Sequence, residues 1–92
     1  MKLLYCSSCG DIFRVKLFER ESCSCGKTAG HYVDQLNAVY SGEFAVPLAV
    51  WNSTFLGAIG NQPTEDIPEG RGGNPMTWYV VPKNCKTFLK VG

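Results

Sequence analysis

Cys6-Ser7-Ser8-Cys9-Gly10 and, thirteen residues after Cys9, Cys23-Ser24-Cys25-Gly26 form the stretch on which the fold turns. A Cys-x-x-Cys turn brings two sulfurs to one side of the chain. A glycine directly after it can take the left-handed conformation that closes such a turn. Residues 23 and 25 lie two apart, so on an extended backbone their side chains share a face. The thirteen intervening residues suffice for two short strands and a turn. Four thiolates from such a framework satisfy a tetrahedral ion and leave no position open for water, which makes the expected site structural. Zinc is the expected ion, one per chain, held by Cys6, Cys9, Cys23 and Cys25. Four-thiolate iron is chemically possible, but the short second pair and the lack of a proline in the turn favour zinc. Two disulfides are the competing reading, and it needs an oxidising compartment. The start, MKLLYCSSCG, has one lysine and a short apolar run before the cysteines, unlike a secretion signal, and so points to the reducing cytoplasm.

CSSCGD followed by CSCGK resembles the zinc-ribbon superfamily, whose members carry two CxxCG-type turns on adjoining hairpins. The resemblance covers residues 1–30, and the second turn departs from the common pattern by one residue. Over its wider length the chain is similar to small CxxCG…CxCG proteins of bacteria and phages. The resemblance implies a zinc ribbon over residues 1–30 and an accessory role, and it supplies no activity.

Outward from the cysteines, the expected fold class is α+β and mostly β. It is a single domain in which the ribbon merges with a small antiparallel sheet and one short helix. Ninety-two residues allow one modest core. Hydrophobic residues at 45% argue for a folded chain, and ten glycines with five prolines argue for many turns. Strands are expected over residues 2–5 and over 12–18, where Phe13, Val15 and Leu17 alternate with Ile12, Arg14, Lys16 and Phe18. Residues 19–22 read as a polar turn. Residues 32–40 and 44–51 are apolar segments separated by Ser41-Gly42. Asn52 or Ser53 caps a helix to about Ile59, ended by Gly60 and Pro63. Residues 61–75 form a long loop, and strands over 77–81 and 87–91 follow.

Net charge is +1, and four thiolates with one Zn²⁺ take it to −1, so the general basic field of a nucleic-acid binder is lacking. No run approaches the ~20 apolar residues that span a bilayer. His31 could replace a cysteine ligand, although a lone histidine is more often a packing residue. No nucleophile or second carboxylate is placed with His31 and Asp34, so no catalytic residue is assigned. Cys85 reads as a small buried hydrophobe rather than a reactive thiol.

Two groups of residues could bind a partner. In the long loop, Arg71 offers a fork to phosphate while Gly72 and Gly73 let backbone amides approach an anion. Trp78, and Trp51 elsewhere, could stack a ring. The expectation is a non-enzymatic binding protein taking a phosphate-bearing small ligand such as a signalling nucleotide, or a protein partner with an acidic surface. The alternative is nucleic acid held by Arg14, Lys16, Lys86 and Lys90, with Ile12, Phe18 and Phe88 interleaved. Self-association is compatible with either.

Overall fold

A computed structural model describes residues 1–64 and 73–91. Its elements run β1 (Lys2–Cys6), β2 (Ile12–Arg14), β3 (Glu21–Ser22), β4 (Ala29–Tyr32), β5 (Ala38–Ser41), β6 (Ala45–Val50), α1 (Asn52–Gly60), β7 (Trp78–Val80) and β8 (Phe88–Lys90). The mostly-β reading holds, but the strands divide between two four-stranded sheets rather than one. The first has the order β2-β1-β6-β7 and the second β3-β4-β5-β8. All pairs are antiparallel except β5 with β8, which is parallel in the register Ala38↔Phe88 and Tyr40↔Lys90.

The core fills the space between the sheets. Leu4, Ala49 and Val81 contribute from the first and Ala38, Tyr40 and Phe88 from the second, with Val15 beside them. Tyr40 and Phe88 meet edge to face, their ring centroids 5.1 Å apart, an arrangement that adds to simple area burial. Gly30 sits against this core. A Cβ there would lie 2.6 Å from Leu4 Cδ1 and 2.8 Å from the Val39 carbonyl, so only glycine fits.

Several local expectations are corrected. The strand expected over residues 12–18 stops at Arg14. Lys16 bridges to Glu19, with Phe18 between them at φ 56, so the chain reverses where the alternation suggested it would run on. Val15 is buried, but Leu17 is 44% exposed. Residues 21–22, expected in a turn, pair with β4. The apolar run 32–40 is interrupted at residues 33–37, the reversal of the β4–β5 hairpin, where Asp34 accepts the Leu36 and Asn37 amides at 2.8 and 2.7 Å. Such an Asx-type arrangement competes with a continuing strand.

Helix α1 lies where expected, but Trp51 occupies its N-cap and no side chain caps it. Asn52 instead accepts the Met1 ammonium at 2.7 Å. In β6, Pro47 is central to its sheet, a position that normally excludes proline. Its carbonyl accepts the Val81 amide at 2.9 Å. A residue's N–H and C=O point the same way in an antiparallel strand, so the missing donor faces β7. There the ladder ends, at Leu48↔Val80.

Because paired residues share a face, the registers also define the outer side of the first sheet. One row holds Arg14, Leu3, Leu48 and Val80; its neighbours hold Ile12, Tyr5 and Val46, and Val50 and Trp78. An antiparallel sheet with one solvated face normally alternates apolar and polar residues. Here the outer face is apolar at every position except Arg14.

Candidate metal centre

The cysteine site joins the two sheets. Cys6 is the last residue of β1 in the first sheet, and Cys23 directly follows β3 in the second. The first turn closes through Gly10 N donating to the Cys6 carbonyl at 2.8 Å, the second through Gly26 N donating to the Cys23 carbonyl at 3.0 Å. Gly10 and Gly26 have φ of 78° and 77°, the left-handed conformation that glycine adopts at least cost. The second pair therefore stands on a turn, Ser24-Cys25, and not on the extended backbone expected from its spacing. That difference makes the two halves nearly equivalent despite the missing residue.

The four sulfurs lie within 4.8 Å of one another. Cys25 Sγ is 3.4 Å from Cys23 Sγ and 3.7 Å from Cys6 Sγ. A tetrahedron with ~2.3 Å metal–sulfur bonds has sulfurs about 3.8 Å apart, so the cluster is of the size that holds one ion. Cys6 and Cys23 are buried while Cys9 and Cys25 are exposed.

Residues that the sequence did not single out support the sulfurs. Asp11 spans the two turns, its carboxylate accepting the Ser24 amide at 3.0 Å while its carbonyl accepts the Cys6 amide at 2.9 Å. The Thr28 amide donates to Cys23 Sγ at 3.3 Å. Donors of this kind orient ligands and stabilise thiolates. The aspartate two residues past the first pair was the available signal, although its reach across the site is a tertiary fact.

The thiols titrate unequally in the absence of a metal. The Ser24 side chain and the Asp11 amide push Cys9 down to about 6. The Lys27 amide favours the Cys25 thiolate, but burial and the neighbouring thiols of Cys23, Cys9 and Cys6 outweigh it and push Cys25 up to about 11. An ion entering at neutral pH must therefore expel a proton from this cluster, which couples its affinity to pH.

The other candidate residues fall elsewhere. His31 is not among the clustered ligands; it lies on β4, and its Nδ1 is buried without a partner. Asp34 spends its carboxylate on the Leu36 and Asn37 amides and the Asn37 side chain. The Asn37 side chain first, then those amides, hold it below the usual carboxylate range. Cys85 is half-buried against the core, 3.4 Å from Thr87 Oγ1.

Arg71 and Gly72 lie outside the described residues, and Gly73 is exposed at their edge. Trp51 and Trp78 lie on neighbouring backbone segments, one register position apart. Trp78 pairs with Val50, and the Trp51 amide donates to the Thr77 carbonyl at 2.9 Å. Both side chains are exposed. The four cations proposed for nucleic acid are divided. Arg14 and Lys16 line a cavity of about 490 Å³ with Tyr32 and Asp34, and Lys90 lines another of about 430 Å³ with Lys83 and Glu43. Lys86 is exposed and lines neither, and Lys16 is paired with Glu21 at 3.1 Å.

No family model, curated protein or solved structure matches this chain. Among the described residues, no helix is long and apolar enough to cross a membrane.

Proposed function

We propose that this is a non-catalytic interaction protein whose two sheets are stapled by one structural zinc ion and which docks a protein partner through the outer face of its first sheet. The apolar outer face carries this reading. Ile12 at one edge and Trp78 and Val80 at the other are open to solvent there, with Leu3 and Val50 buried between them. Exposed apolar side chains on a sheet face of this kind mark interaction sites. The zinc supplies rigidity to a small core and leaves no open position for chemistry. A photocrosslinking residue at position 80, compared with one at position 89 on the second sheet, tests the reading in cells that make the protein. Adducts of discrete mass are expected from position 80 and not from 89; none from either would contradict it.

A second reading starts from the exposed side chains of Trp51 and Trp78. An open indole suits the ring of a phosphate-bearing ligand, with Arg71 and Gly72 taking the phosphate. Arg71→Ala is then expected to reduce nucleotide affinity at least tenfold, with zinc content unchanged. Calorimetry with a panel of nucleotides checks it, and equal affinity for both proteins removes the reading. Nucleic-acid binding has the weaker footing, because its cations divide between two cavities and Lys16 is already paired.

A further inference from the structure

The last inner-facing position of β8 holds a charge. A sheet with one solvated face turns its apolar side chains inward and its charges outward. Phe88 is buried in the core, so Lys90, two residues on, projects from the same inner face, while Leu89 between them faces outward and is 47% exposed. Lys90 is the register partner of Tyr40, another inner-face residue. The two line a cavity of about 430 Å³ at the margin of the core, a volume within the range of about 300–1,000 Å³ usual for small-molecule sites. Its other walls come from the first sheet, through Ala45 and Pro47 on β6 and Val80 and Val81 at the end of β7.

Lys83, Lys90 and Glu43 bring charge to this cavity. All three are exposed. Among the described residues the one ion pair joins Lys16 to Glu21, so both of these ammonium groups and the Glu43 carboxylate are without an ionic partner. Tyr40, only 5% exposed, adds a hydroxyl to the lining. Its ring is fixed edge to face against Phe88, so the core holds it in place. Burial first, then the nearby Cys85, pushes its pKa up, which keeps the phenol a donor. An inward lysine also keeps an edge strand from pairing, and β8 is an edge. That role asks nothing of Lys83, which reaches the same cavity from the segment after β7.

We propose that this cavity binds a small organic acid, its apolar body against Pro47, Val80 and Val81 and its carboxylate between Lys83 and Lys90. Apolar walls with a few placed polar groups are the usual build of a ligand site. Charge selects the class. Two ammonium groups and one carboxylate sum to +1, which a monoanion neutralises. A phosphate monoester, with roughly −2 charge at neutral pH, leaves an excess of negative charge beside Glu43. An uncharged ligand leaves both lysines without a partner. Ion pairs at a wet cavity mouth are individually weak, so the apolar walls supply most of the affinity and the lysines the selectivity. None of these charged residues enters the docking reading or the reading built on Trp51 and Trp78, so this site stands or falls apart from them.

Amide NMR titration of the zinc-loaded full chain tests this with 4-phenylbutyrate, octanoate and indole-3-acetate, each taken to about 5 mM because ligands this small bind weakly. At least one is expected to saturate, moving the amides of Val46, Val80, Val81, Lys83 and Lys90 together. The uncharged primary amide of that acid should bind at least tenfold more weakly, and phenyl phosphate should not displace the acid. Reversing both charges, Lys83→Glu with Lys90→Glu, is expected to lower affinity at least tenfold. Both positions are exposed, so the fold should tolerate the change. Arg14→Glu, on the far edge of the first sheet, should leave affinity unchanged. No saturable shift at these amides with any of the three acids would overturn the proposal. So would equal affinity for acid and amide, displacement by phenyl phosphate, full affinity in the double variant, or an equal loss in Arg14→Glu.

Discussion

Replacing Cys23 with serine is expected to remove bound metal and to unfold the junction between the two sheets. The chain has a small core, and the strands that bring Cys23 and Cys25 into place are among its shortest, β3 being two residues long. Structural zinc contributes ~10–16 kcal/mol of apparent binding free energy, at least as large as the ~5–15 kcal/mol net stability of a domain. Losing the ion therefore removes more than the fold has in reserve. Because Cys6 ends a strand of the first sheet and Cys23 follows a strand of the second, the loss acts between sheets and not within one hairpin. Dispersion in the amide NMR spectrum should collapse for residues 6–32. Cys9→Ser should behave the same way, and Cys85→Ser, half-buried and remote from the cluster, should keep its metal and its spectrum. A Cys23→Ser protein with a native spectrum would show that the staple is dispensable.

The second large effect is at Gly30. A β-carbon there would lie 2.6 Å from a methyl of Leu4, which is fully buried, and 2.8 Å from a backbone carbonyl that cannot turn aside. Overpacking of this kind costs ~1–3 kcal/mol and occasionally more. Gly30→Val, which adds two further methyls and leaves the backbone carbonyl no way to yield, is expected to cost about 3 kcal/mol or more in denaturant unfolding of the zinc-loaded protein. Gly57→Ala is the matched contrast. It lies in α1 with nothing within 4 Å of a new β-carbon. There the substitution should stabilise by about 0.5–1 kcal/mol, through helix propensity alone. Equal responses at the two sites would mean that β4 does not lie against Leu4 as described.

The cysteine ligands were legible because their chemistry is local. Two pairs, each followed by a glycine, specify two turns whatever the rest of the chain does. The form of the second turn was not legible, since Cys-x-Cys suits an extended strand as readily as the left-handed closure at Gly26. Strand positions could be read where side chains alternate, as over Ile12–Arg14, and were lost where the chain reverses on ordinary residues. Phe18 in a left-handed conformation gives no warning in sequence, and Asp34 reveals itself as a turn former only through the amides of Leu36 and Asn37. The division into two sheets was hidden for a further reason. β1 and β6 are apolar on both faces, with Leu3 beside Leu4 and Val50 beside Ala49, so their patterns do not say which side is core. That same ambiguity turns out to mark the outer face now proposed as a contact surface. The parallel pairing of β5 with β8 joins segments some fifty residues apart, and no local signal carries it.

Intact mass under native conditions tests the central claim most directly. Wild-type protein purified without added metal should carry one zinc ion per chain, as should Cys85→Ser, while Cys23→Ser should carry none. One full zinc on Cys23→Ser, or a wild-type chain that is folded with no metal, would contradict the four-cysteine structural site.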